Sequence, residues 1–305
     1  MSRPAFAIVV RAAGERTEPL ACRLACAQGA AEVAVVHEVP FRRAVRASFE
    51  RGLEIGCPWT FCLDADCLLA PGAAARCLDE AVRVGPGVFR VSPRGAWRFH
   101  QAVLNLGFHG YPTDLLREGL RVLEDTGPDL KPESAVRRRM QEAGYRFALL
   151  DTVAGLHEYE LGYADIYRRM RVRACKATRR EYALLLRLAK RSRQTDPDYR
   201  VVHQALRDAR LRPIDRHGLD ALSREEVDAA LARLGLNEKA PLSPAAGFER
   251  VTTVLDAFRT AKEARDWERF FLAHATLARP PRGPATDYAH GGGTLTRFWL
   301  WLTGR

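Results

Sequence analysis

Asp64 and Asp66, with Ala65 between them, are the residues whose type and spacing point most directly to chemistry. Two carboxylates one residue apart can hold a hard divalent cation between them, directly or through water, and that cation can bridge two phosphates. Magnesium or manganese placed there would neutralise the charge developing on a departing diphosphate, the Lewis-acid role of a catalytic metal. Asp-x-Asp arises by chance in many proteins. Here it lies between the apolar runs Trp59-Thr-Phe-Cys-Leu63 and Cys67-Leu-Leu69, and a carboxylate in such surroundings needs a partner to offset its desolvation. A plain strand-end turn is the alternative.

Four further groups could work with the pair. Arg11-Ala-Ala-Gly14-Glu15-Arg16-Thr17 joins small residues to two arginines and could wrap a base and ribose and reach a pyrophosphate, to which guanidinium is well suited. It has neither the Gly-x-Gly-x-x-Gly of dinucleotide enzymes nor a Gly-Lys-Ser/Thr loop. His157 follows a late strand and can return to the same rim, where imidazole is an acceptable third ligand beside two carboxylates. Glu133 opens a helix beginning near Pro132. It is either a helix-stabilising carboxylate at the positive end of the dipole or a group that orients or deprotonates a hydroxyl. Trp97, His100, Asn105, His109 and Tyr111 cluster in a stretch without clear periodicity. Aromatic faces with imidazole and amide donors suit a sugar or nucleotide pocket, and equally a packed core.

The elements that must position these residues alternate. Short apolar strands are expected at Phe6–Val10, Glu32–His37 and Trp59–Leu63, with helices at Pro19–Gln28 and Phe41–Ile55 between them. Apolar strands alternating with helices predict an α/β fold with a Rossmann-type, mainly parallel sheet covered on both faces. The Asp pair then sits at the carboxyl edge of the third strand, where open α/β sheets bind ligands. Further helices are expected at Pro71–Val82, Leu115–Leu123 and Pro132–Ala143, and strands at Gly87–Ser92 and Tyr145–Leu150. Beyond residue 160 the pattern is helical, at Tyr163–Leu188, Ser223–Leu234 and Phe248–Thr276, with Tyr199–Val202 ambiguous. Ser223 and Glu226 have capping-box spacing.

In this order the features resemble those of the GT-A glycosyltransferases, of a family-2-like bacterial type, enzymes that use nucleoside-diphosphate sugars. The match rests on the first strand and its loop, Val9 to Thr17, on Asp64-Ala65-Asp66 as the family's Asp-x-Asp, and on His157 as its late metal-binding histidine. The resemblance implies a GT-A-like catalytic domain over 1–160, Mn2+ or Mg2+ as cofactor, and a nucleoside-diphosphate sugar as donor. Asp64 would address the ribose or metal, and Asp66 the metal and diphosphate. The catalytic carboxylate would be Glu133. It is followed by Ser134 where the family commonly has an aspartate, and Asp125 is a competing carboxylate, so the inverting or retaining course stays open. The acceptor would be a glycan, a lipid-linked glycan or a small molecule.

The rest of the chain is read from composition. Residues 161–277 form a helical extension whose basic run, Arg168-Arg169 to Arg193, could meet an anionic membrane surface or a polyanionic acceptor, or simply be solvated. Residues 278–305 combine a Pro/Gly-rich connector with the apolar Thr294–Thr303, too short to cross a bilayer, which takes about 20 residues. A formal charge of +11 attracts phosphates, nucleic acid and anionic lipid alike. No zinc-finger spacing or RNA-binding motif supports nucleic acid as the partner. Seven cysteines without Cys-x-x-Cys spacing, and the lack of a signal-like apolar stretch, predict a cytoplasmic protein with reduced thiols. Two enzymatic rivals share the carboxylate chemistry. A sugar nucleotidyltransferase would show a glycine-rich Lys/Arg signature, and an aspartate phosphotransferase would carry its motif on the first strand.

Overall fold

β1, Phe6–Ala12, is buried at every position, which requires cover on both faces of the sheet. It pairs in parallel with β2 (Glu32–His37) on one side and β3 (Trp59–Asp64) on the other. Successive side chains of β3 serve opposite faces. Phe61 and Leu63 join the core that contains Leu20, Ala21 and Leu24 of α1 (Glu18–Cys26), whereas Cys62 joins Val45 and Phe49 of α2 (Phe41–Ile55). The computed structural model describes residues 4–127, 131–213, 222–242, 249 and 252–257.

Five further strands complete one mixed sheet: β4 (Cys67–Leu69), β5 (Val88–Trp97), β6 (Ala102–Asn105), β7 (Phe108–Pro112) and β8 (Arg146–His157). Their order is β2-β1-β3-β7-β5-β8-β4, with β6 on β5. β2, β1, β3, β5 and β8 run one way. β7 lies antiparallel between β3 and β5, because β5, β6 and β7 follow one another through turns too short for a crossover. Helices α3 (Ala73–Val84), α4 (Leu116–Asp125) and α5 (Pro132–Glu142) flank the sheet. The expected α/β class, with a mainly parallel sheet between helices and a helical C-terminal region, is what the chain adopts.

Three local expectations are corrected. β8 does not end at Leu150 but continues to His157. Asp151-Thr152 interrupts its apolar run, yet Glu80 of α3 accepts from both backbone N–H groups, at 2.9 and 3.3 Å, and from the Thr152 hydroxyl at 2.5 Å. The helix expected over Tyr163–Leu188 is two, α6 (Tyr163–Lys176) and α7 (Arg179–Ser192), split where Thr178 caps α7 by accepting from Glu181 N. Tyr199–Val202 belongs to α8 (Pro197–Leu211), opened by the Asp196 cap and Pro197. Ser223 caps α9 (Arg224–Arg233) from the expected position.

Helices α6 to α9 share a core of Ile166, Tyr167, Met170, Leu185, Val202 and Leu231, which Phe99 enters from the β5–β6 connection. Of the helix expected over Phe248–Thr276, residues 249 and 252–257 are described and helical. The connector and the apolar segment Thr294–Thr303 lie outside the described residues. Among the described residues no helix is long and apolar enough to cross a membrane. All seven cysteines are free thiols.

Candidate active site

Two strand ends build the site. β3 stops at Asp64, the chain turns through Ala65-Asp66, and β4 pairs antiparallel with the end of β8 so that Cys67 faces His157. Glu158 N donates to Asp66 O at 3.1 Å and locks the two turns together. His157 Nε2 thereby lies 3.2 Å from Asp66 Oδ2, and the Cys67 thiol donates to Asp66 Oδ1 at 3.6 Å. The ligating atoms of Asp66, Cys67 and His157 all fall within 4.8 Å of one another, and all three residues are buried. Gly155, two residues before His157, is obligatory for this pairing, since a Cβ there would run into the Leu68 carbonyl.

A layer of ion pairs surrounds the cluster. Arg169 of α6 donates through Nη1 to Asp66 Oδ2 at 2.6 Å and through Nη2 to Glu15 Oε1 at 2.8 Å. Burial works to raise the Asp66 carboxyl, but Arg169 and His157 outweigh it and hold the group far below the usual carboxylate range. The Trp97 ring packs against the His157 imidazole, centroids 3.9 Å apart. Behind them Glu158 is fully buried at φ 66°, a left-handed conformation unusual for a non-glycine residue, and pairs with Arg173 at 2.6 Å. His100 sits between Arg173 and Glu181, and burial lowers its proton affinity.

A second constellation begins at Asp64, whose Oδ1 is 2.8 Å from Arg11 Nη2. Arg11 Nη1 donates to Glu133 Oε1 at 2.6 Å, and the Tyr111 hydroxyl donates to the same oxygen at 3.0 Å. His109 Nε2 is 3.7 Å from Glu133 Oε2, and its Nδ1 is 2.8 Å from the Ser92 hydroxyl. Burial, reinforced by Asp66 and Glu133 against Arg11, pushes the Asp64 carboxyl up to about 6. Glu133 moves the other way. Burial opposes the change, but Arg11, His109 and Arg90 bring it down to about 2.

The sequence-predicted residues therefore divide. Asp66 and His157 meet, Asp64 pairs with Arg11 beside them, and Cys67 completes the trio of candidate ligands. Glu15 reaches the cluster through Arg169, whereas Arg16 donates to Glu160 O at 2.9 Å and Ala240 O at 2.8 Å. Gly14 supplies the turn at φ 84°. Thr17 is buried and donates to Ala65 O at 2.8 Å, bracing the Asp-x-Asp turn. The aromatic and imidazole set splits between Trp97 and His100, beside His157, and His109 and Tyr111, beside Glu133. Asn105 is exposed, with its carbonyl accepting from Trp97 Nε1 at 2.9 Å. Asp125 is exposed at the end of α4 and joins none of these contacts.

Arg169, Arg173, Glu158 and Cys67 were not picked out from the sequence. Asp165, Arg169 and Arg173 recur every four residues and so share one stripe of α6, a signal that the basic composition of the run concealed. Glu15, Arg168 and Arg169, with Ala13, Val39, Asp165 and Leu222, line an open cleft of about 280 Å³ beside the cluster.

Fold and site together define a mixed α/β protein of GT-A-like, Rossmannoid architecture with a buried Asp-Cys-His cluster able to coordinate a metal. No family model matches the chain, and no curated protein sequence matches it significantly. Among solved structures it is similar to a mannosyltransferase, PcManGT from Pyrobaculum calidifontis in complex with GDP-Man and Mn2+. That likeness is at 14% identity, covering 90% of this chain and 87% of that one, with a TM-score of 0.38. It is also similar to a glycosyltransferase involved in glycosylation of the PBCV-1 major capsid, at 12% identity, with 52% and 94% covered and a TM-score of 0.34. A third is 2-C-methyl-D-erythritol 4-phosphate cytidylyltransferase from Thermus thermophilus, at 17% identity, with 48% and 87% covered and a TM-score of 0.35. All three are too distant to carry a residue or an activity over to this chain.

Proposed function

We propose that this chain is a metal-dependent glycosyltransferase that moves a sugar from a nucleoside-diphosphate donor to a hydroxyl acceptor. The observation that carries the reading is the 3.2 Å approach of His157 Nε2 to Asp66 Oδ2, made by residues 91 positions apart and set beside a cleft lined by two arginines. The donor set fits a divalent cation. The His157 nitrogen turned to Asp66 is Nε2, with Nδ1 3.8 Å from Glu158 Oε2 behind it, and a carboxylate with an imidazole suits manganese better than magnesium, which prefers oxygen ligands throughout. Burial, with Asp66 and Asp64 adding, pushes the Cys67 thiol well above its usual range when no cation is bound.

In this reading the nucleotide lies in the cleft between the β1 loop and α6, and Asp66 and His157 hold the metal. The bound metal supplies Lewis-acid stabilisation of the departing diphosphate. The acceptor oxygen forms a bond to the anomeric carbon as the bond from that carbon to the phosphate oxygen breaks; the electron pair leaves with the nucleoside diphosphate, and the acceptor hydroxyl's proton passes to solvent. A carboxyl at about 2 takes a proton weakly, so Glu133 acts by orienting Arg11 and Tyr111 rather than as the base.

Calorimetric titration of a panel of nucleoside diphosphates and nucleotide sugars, with and without manganese, tests the reading. One nucleotide should bind only with manganese, and Asp66→Asn should weaken that binding at least about tenfold, since losing even a residue that merely orients a metal ligand costs that much. Turnover should then release the nucleoside diphosphate. Pyrophosphate release when a nucleoside triphosphate and a sugar phosphate are supplied instead would move the protein to the nucleotidyltransferases, and metal-independent binding unchanged in the variant would end the metal assignment.

A further inference from the structure

We infer that the Arg169 guanidinium is a built-in counter-cation of Asp66 that a divalent cation must displace, so that cation and nucleoside diphosphate bind together far better than either alone. The inference rests on the donor-site reading above. Arg169 Nη1 sits 2.6 Å from Asp66 Oδ2, the same oxygen that His157 Nε2 approaches at 3.2 Å. That oxygen is where a cation held by both Asp66 and His157 would bond. A dication at coordination distance from it would face the guanidinium across a single oxygen, and the like charges would repel.

The geometry says which way the side chain is free to go. The Asp66 side chain is 1% exposed and the Arg169 side chain 20% exposed, so the guanidinium lies between the carboxylate and the cleft. Its other nitrogen holds Glu15 Oε1, while Glu15 Oε2 accepts from Ala13 N at 2.6 Å, which ties that end of the bridge to the β1 loop. Arg169 already lines the cleft with Arg168, and release from Asp66 frees its guanidinium for a ligand there. A planar guanidinium there can donate two parallel hydrogen bonds to phosphate oxygens. A cation entering alone strands Arg169 without its carboxylate, and a diphosphate entering alone finds Arg169 engaged. Each ligand removes the cost of the other, and by linkage the enhancement is the same whichever is added first.

Titrating manganese chloride into the full chain, alone and with saturating GDP, UDP, ADP, CDP or TDP, reads this coupling directly. In the wild type one diphosphate should tighten manganese binding about tenfold or more, within the usual range of coupling between sites. In Arg169→Met manganese alone should bind about tenfold tighter than in the wild type, the diphosphate should bind more weakly, and the coupling should shrink towards one. Glu15→Gln, which loosens the other end of the bridge and leaves Asp66 untouched, should shift manganese affinity in the same direction by less. If Arg169→Met depends on metal to fold, manganese should raise its melting temperature more than that of the wild type. A wild type that shows coupled binding together with variants that bind manganese no tighter would overturn the inference and leave the donor site standing. No manganese-dependent nucleotide binding in any protein would remove the donor-site reading and the inference with it.

Discussion

Gly107 shows how little room the residues around Asp66 have. Its carbonyl accepts from Asp64 N at 2.8 Å, and a Cβ on it would press into the Asp64 carboxylate and stand 3.0 Å from Cys67 Sγ. Gly107→Ala should therefore cost about 1–3 kcal/mol, the usual penalty of overpacking, and weaken manganese-dependent nucleotide binding by dislodging Asp64 from Arg11. Denaturant melts and calorimetry check both, and a variant unchanged in either would show the turn to be looser than its geometry. His109 sets a pH dependence. Burial, with Arg90 adding, brings its imidazole down from 6.5 to about 3. An unfolded chain therefore takes up a proton there as pH falls below 6.5 while the folded chain does not, and stability is lost on acidification. Glu133, depressed from 4.5 to about 2, acts in the same direction only below about 4.5. Asp64, raised to about 6, acts in the opposite direction between 3.8 and 6. The comparison that isolates His109 is therefore between wild type and His109→Gln from about pH 6.5 to 4.5. The variant should lose less stability on acidification, by about 1–2 kcal/mol over that window. Parallel curves would mean that His109 is protonated in the fold.

At the scale of elements, what could be read was what repeats. β1 and β3 were legible because strands covered on both faces carry unbroken apolar runs, α2 because it carries a helical period, and the edge strand β2 because of its Val33–Val36 run. Those elements alone place the Asp-x-Asp turn on the carboxyl rim. The second half of β8 was not legible, since Asp151-Thr152 looks like an end until Glu80 of α3 is there to accept its backbone N–H groups. Nothing local to that strand announces a partner 71 residues earlier. His157 was read from its place after a late strand and strengthened by the resemblance, whereas the β4–β8 pairing that delivers it was not read. Arg169 was noted only as part of a basic run, because composition does not say which stripe of a helix faces a carboxylate. The β8 dependence is open to test. Glu80→Ala removes a charged acceptor from the exposed Asp151 N–H and from the part-buried Thr152 N–H and hydroxyl, at a cost of about 1–2 kcal/mol. Hydrogen exchange should quicken along β8 beyond Leu150, and manganese affinity should fall with it because His157 sits at the end of that strand. Faster exchange confined to α3 would contradict this coupling.

Across the whole molecule, the helical region and the sheet meet at the site through a short segment after α9. Glu238 accepts from Tyr163 N at 2.6 Å and Ala164 N at 2.7 Å, capping α6 where the N-cap position is Gly162 and offers no side chain of its own. The next residue, Lys239, pairs with Asp198 of α8 at 2.7 Å and donates to Leu161 O at 2.7 Å, and Ala240 O accepts from Arg16 of the β1 loop at 2.8 Å. This segment thus fastens the start of α6, which carries Arg169, to the loop that carries Glu15. Both ends of the Arg169 bridge depend on it, although it touches no ligand atom of the candidate site. Glu238→Ala should cost about 1–2 kcal/mol, the value of a lost helix cap, and should weaken nucleotide binding several-fold. Glu238→Gln keeps an acceptor oxygen and should fall between Glu238→Ala and the wild type on both measures. Melting curves and calorimetry on the same samples separate two roles for the segment. Stability and binding falling together would mean that it sets the spacing between α6 and the β1 loop, and a fall in stability alone would make it a helix cap and nothing more.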